Sequence, residues 1–217
     1  MIPRVFHPDD RPVPQLVHFV GRARGDVRLP DAVRGLSAEQ RLAQILGDGL
    51  LRAFPVPGTG STPVTCMSDI SPADLESAFR TGLNTRGPLE PWAVVLHRDG
   101  MWGAGARPVF YADYADLPQV QQALEKRAPG RGALAQRIDI TTSRSDWTHE
   151  REWRLLPRHG RDGIAVWPQL DAVVVDVAGW QPPNVERHPD ASRVHRWWWD
   201  GDHLIDDGFI NQTTAYS

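Results

Sequence analysis

The chain has 217 residues, with 24 basic against 27 acidic side chains and a formal net charge of -3. That length fits one large domain with a substantial core, and the charge balance gives no global footprint for nucleic acid. A single cysteine, Cys66, excludes an internal disulfide and any multi-cysteine metal site. No segment approaches the roughly 20 apolar residues of a membrane helix, and no signal-like run opens the chain. The default expectation is a cytoplasmic protein without membrane association.

In chain order, Leu16-Val17-His18-Phe19-Val20 reads as a first strand. Ser37-Ala38-Glu39-Gln40 has the form of a capping box. Leu42, Ile45 and Leu46 follow at helical spacing, and Gly47 and Gly49 mark the stop. Pro55 to Pro63 reads as a loop and Val64-Thr65-Cys66-Met67 as a buried strand, its cysteine a packed thiol. Ser71-Pro72-Ala73-Asp74 predicts an N-cap and a helix running to about Thr81, ended by Gly82. Trp92 to His97 is the clearest strand. A Gly-rich connection leads to a second, Pro108 to Ala112, in which one of Phe110 and Tyr111 should face the core and the other a cleft. Leu117 to Arg127 reads as an amphipathic helix. Strands are expected at 137–141, 151–156, 164–167, 172–177 and 194–199. Helices early and short strands late predict an α+β fold rather than alternating βαβ units, in one domain over residues 1–217.

The segment Trp147-Thr148-His149-Glu150-Arg151-Glu152-Trp153-Arg154 carries the most chemistry. On a strand, Glu150, Glu152 and Arg154 point one way, and Arg151 and Trp153 the other. Two neighbouring carboxylates repel unless they face water, a cation or a ligand. They could share general-base and electrostatic duties, stabilise an oxocarbenium ion, or form a plain strand face bridged to Arg144, Arg151 or Arg154. The histidines lack zinc spacing, and no phosphate-loop, dinucleotide or nucleophile-elbow motif is present. A nuclease would want a basic, metal- or His-rich site, and only scattered arginines are offered. Trp197-Trp198-Trp199 reads as core and covering residues, two rings on one face and one on the other.

Together, His18-Phe19, the helix ending Ile45-Leu46-Gly47-Asp48-Gly49-Leu50, Val64 to Ser71, Gly105 to Tyr111 and Trp147 to Arg154 resemble the bacterial AbiGi-type putative antitoxin family and a related domain-of-unknown-function family. Both look like the ADP-ribosyltransferase fold. The resemblance covers residues 16–156, with 157–217 a strand-rich extension of the same domain. It implies a split β-sheet core with helices mainly in the N-terminal half. It implies an NAD-dependent ADP-ribosyltransferase or NAD glycohydrolase of a toxin–antitoxin or phage-defence system, acting on nucleic acid or protein. The alternative it implies is a non-enzymatic antitoxin-like or sensor protein that binds a partner, such as a cognate toxin or antitoxin. By the same resemblance Glu152 and Glu150 are catalytic, with Glu152 on the nicotinamide ribose and Glu150 assisting the acceptor. His18, Tyr111, Ser68 and Trp147 are cofactor-binding, NAD is the substrate, and no metal is implied. On that reading Glu152→Gln removes NAD cleavage and leaves folding intact.

Overall fold

The computed structural model describes residues 4–5, 15–21, 31–55, 62–82, 89–113, 115–127, 138–141, 151–157, 162–183, 185 and 188–211. The N-terminal half carries β1 (Arg4–Val5), β2 (Gln15–Phe19), α1 (Asp31–Arg34), α2 (Ala38–Asp48), β3 (Leu50–Arg52), β4 (Phe54–Pro55), β5 (Pro63–Ser68), α3 (Pro72–Thr81), β6 (Ala93–His97) and α4 (Arg98–Ala104). It continues with β7 (Arg107–Pro108), β8 (Phe110–Asp113), α5 (Leu117–Arg127), β9 (Ile138–Thr141), β10 (Glu152–Leu155), β11 (Gly163–Ala165), β12 (Leu170–Val175), β13 (His195–Trp199) and β14 (Leu204–Phe209).

One large sheet organises these elements in the order β1-β14-β13-β12-β6-β2-β5-β10-β7, with β4 paired to β5. Its pairings are antiparallel except β12 with β13, which run parallel. The fold is therefore mixed, helices packed on a largely antiparallel sheet. β3 with β11 and β8 with β9 form two separate pairs. From residue 170 onward, β12, β13 and β14 belong to the main sheet itself.

Strand alternation sends side chains to two cores. Leu16, Met67, Val94, Leu96, Trp153, Leu155, Val173 and Val175 pack on one face, with Leu42 and Leu46 of α2 and Met101 of α4. Val17, Val95, Ala172, Val174, Trp197 and Trp199 pack on the other, against Leu75 and Phe79 of α3. The tryptophan run divides as its spacing predicts, since Trp198 packs against the first core. Full burial of a leucine such as Leu42 contributes about 1.5–3 kcal/mol.

The helices begin where the sequence signals place them. Ser37 Oγ accepts from the Gln40 N–H at 3.1 Å, and the Gln40 side chain accepts from the Ser37 N–H at 2.9 Å. Gly49 closes α2 with φ 63°, and an added Cβ would meet the Trp167 ring at 3.1 Å. Ser71 caps α3, with Pro72 in the first turn. Three expectations differ from the structure. The Gly-rich connection after His97 is helical over Arg98–Ala104, because Met101 is buried in the first core. The strand expected from Pro108 to Ala112 is divided, because Arg107–Pro108 pairs with β10 and Phe110–Asp113 pairs with β9. The strand expected through Trp167 ends at Ala165 and gives way to a 3-10 turn over Trp167–Gln169.

Candidate functional site

Glu152 opens β10 and lies directly across from Ser68 of β5, which in turn faces Val17 of β2. All three therefore share the face that α3 covers. On that face the Glu152 carboxylate, 11% exposed, is gripped by Arg154, 1% exposed. Arg154 Nε donates to Oε1 at 2.8 Å and its terminal nitrogen donates to Oε2 at 3.0 Å. Tyr111 Oη donates to Oε2 at 3.3 Å. A carboxylate has about four acceptor positions, so the bidentate arginine and the tyrosine occupy most of them. Of the three arginines that the sequence offers as partners for this face, the one seen on Glu152 is Arg154, two residues along the strand and hence on the same face.

The backbone leading into this pair is strained. Arg151 has φ 41°, the one non-glycine residue with positive φ among the described residues. That turn aims the Arg151 carbonyl at the Asp69 N–H, 3.1 Å away, and so seats Glu152 opposite Ser68. The Arg151 guanidinium is exposed and lies 3.9 Å from Asp74 in the first turn of α3. Nearby, Arg98 donates to Asp69 at 3.1 Å.

His18 is not brought to Glu152. It alternates with Val17 and Phe19 and pairs with Val94, a residue of the other core, so its Cβ leaves the sheet on the opposite face from Glu152. β2 is zipped to β6 from Gln15↔His97 to Phe19↔Ala93 and meets β5 at Val17↔Ser68. Just beyond that pair, His18 Nδ1 donates to the Cys66 carbonyl at 2.7 Å. β5 stands between His18 and Glu152, which puts their strands roughly 10 Å apart. A dinucleotide spans such a distance; the obstacle is the face, not the separation.

Of the sequence-expected site residues, the structure thus joins Glu152, Tyr111 and, across one strand pairing, Ser68. Glu150 and Trp147 lie outside the described residues. Phe110, expected as either a core or a cleft residue, is 60% exposed. Arg154, offered by the sequence as one of three bridging arginines, is the residue that closes this site.

Among the described residues no group of three or more His, Cys, Asp or Glu could hold a metal ion, and no helix is long and apolar enough to cross a membrane. A groove of about 400 Å³ lies apart from Glu152, lined by Gln44, Arg52, Ala53, Phe54 and Asp162 among others. No family model, curated protein or solved structure significantly matches the chain.

Proposed function

We propose that this chain works by recognition, as an antitoxin-like or sensor protein of a bacterial toxin–antitoxin or phage-defence system that binds a partner protein. The kind of system follows from the sequence resemblance. The choice of binding over NAD cleavage is carried by one observation, the bidentate clamp of buried Arg154 on Glu152. A carboxylate stabilises a developing ribose cation through its negative charge, worth about 4 kcal/mol at 4 Å in an effective dielectric near 20. A guanidinium already at hydrogen-bond distance offsets most of that. The position of His18 on the other face supports the same reading.

The test is direct. Purified protein incubated with millimolar NAD should release no nicotinamide above a heat-inactivated blank, and NAD should leave its melting temperature unchanged. A ligand at a hundredfold over its Kd would add about 2.7 kcal/mol of stability. Nicotinamide release by the wild-type protein overturns the reading.

A second reading, the NAD-dependent ADP-ribosyltransferase or glycohydrolase, is favoured by the convergence of Tyr111 and Ser68 on Glu152. In that case a ribose hydroxyl takes the remaining acceptor position of Glu152. Tyr111→Phe, which removes the hydroxyl and keeps the ring, should then slow nicotinamide release. Mass spectrometry should find an ADP-ribose increment on protein or nucleic acid.

A further inference from the structure

We infer that the β7 edge of the main sheet, at Trp102, Arg107, Pro108 and Phe110, is a docking surface for an acidic, aromatic- or leucine-bearing segment of a partner protein. This rests on the recognition reading above and names its surface. Trp102 and Phe110 are 50% and 60% exposed, two of the three large hydrophobic side chains left in water among the described residues. Phe110 follows Pro108 by two residues, just past the end of β7. Trp102 packs edge-on against Trp153, ring centroids 5.9 Å apart, and Trp153 pairs with Pro108. Arg107 and Pro108 pair with Arg154 and Trp153 of β10, and Arg107 reaches Trp102 across the edge.

The charge at this patch identifies what it fits. Arg34, Arg52, Arg98, Arg151, Arg193 and Arg196 each meet a carboxylate within the chain. Arg107 meets none among the described residues. Its guanidinium lies over the Trp102 ring, 3.9 Å from the centroid, and donates to the carbonyls of Trp102 and Ala106 at 2.9 and 2.7 Å. These bonds fix the fork in place and leave donors on it free to take a carboxylate, with little side-chain entropy left to lose. Tryptophan and arginine beside exposed apolar surface is the composition of interface hot spots. One uncompensated guanidinium suits an isolated carboxylate. A nucleic acid would need several such cations, and it would approach a chain of net charge -3.

The experiment selects phage-displayed random dodecapeptides on the whole protein, then measures the enriched sequence as a labelled synthetic peptide by fluorescence polarisation. The selected sequences should be rich in Asp or Glu beside Phe, Tyr, Trp or Leu. Binding should fall about tenfold or more in Arg107→Glu and Trp102→Ala and stay unchanged in Arg52→Glu, which lies on a different element. Replacing the peptide's acids by lysine should abolish binding to the wild-type protein, which tests the same contact without altering the fold. Selection of no sequence above background, sequences without acidic enrichment, or affinity indifferent to Arg107→Glu and to the lysine swap overturns the inference. So does a single-stranded oligonucleotide that binds and is lost in Arg107→Glu. None of these outcomes bears on nicotinamide release, so failure here is distinct from failure of the recognition reading itself.

Discussion

Arg154 holds Glu152 through two parallel N–H to oxygen bonds, 2.8 and 3.0 Å long, from a position 1% exposed. The pair is a structural unit before it is anything else. Removing one member leaves the other charged and out of water, which costs about 3–5 kcal/mol. Glu152→Gln should therefore lower the urea midpoint substantially, contrary to the expectation that it leaves folding intact. Replacing both residues together, as Glu152→Leu with Arg154→Met, should recover most of the loss. Equal stability of Glu152→Gln and wild type in urea denaturation would show that the clamp contributes nothing.

His18 and Glu152 leave the sheet on different faces, so their energetic contributions should add. His18→Ala should cost about 1 kcal/mol through the lost bond to the Cys66 carbonyl. The double variant with Glu152→Gln should match the sum of the singles within about 0.5 kcal/mol. A coupling beyond about 1 kcal/mol in the denaturant cycle would place the two in one network and restore the case for a shared NAD site.

Arg151 sits in left-handed backbone, where a side chain costs about 1–2 kcal/mol. Glycine avoids that penalty but loses about 0.5–1 kcal/mol in chain entropy. Alanine keeps the penalty. Arg151→Gly should thus be more stable than Arg151→Ala by about 1 kcal/mol in thermal melts. The reverse order would mean that the turn relaxes when the arginine goes.

Asp200 closes the turn between β13 and β14. Burial pushes its carboxyl up, but the N–H groups of His203 and Asp202, at 2.7 and 2.8 Å, together with the His203 charge, hold it below the ordinary range. A depressed folded value means that the stabilisation is complete above the unfolded pKa of about 3.9 and drains away as pH falls through the folded value. The stability gap between wild type and Asp200→Ala should be widest at neutral pH and narrow in acid. A gap that widens on acidification would have the wrong sign for this carboxylate.

Where a signal was local, the sequence carried it. The capping box at Ser37, the Ser71-Pro72 start of α3 and the apolar runs of β2 and β6 all depend on neighbours in the chain. What was not read depends on partners elsewhere in the chain. β14 is absent from the strands expected above; within it Asp207 is matched by buried Arg196 of the neighbouring β13 at 2.6 Å. Arg196 lies at a bulge between His195 and Trp197 and also donates to the carbonyls of Asp207 and Trp180. Nothing in the spacing of residues 204–209 reveals that partner. The Glu152–Arg154 pair was legible in principle, since two strand positions apart means one face. The face of His18 relative to Glu152 was not, because it depends on the register across β5.

The placement of β12 governs how this protein can be made. The row Ala93-Val94-Val95-Leu96 is at most 1% exposed, its side chains in the two cores and its backbone paired with β12 in the middle of the sheet. A chain still emerging from the ribosome, or one cut before residue 170, offers that row as an open apolar edge. Such edges recruit other strands. For a protein regulated by proteolysis or premature termination, loss of the last quarter would convert a folded molecule into one that self-associates, rather than into a shorter working domain.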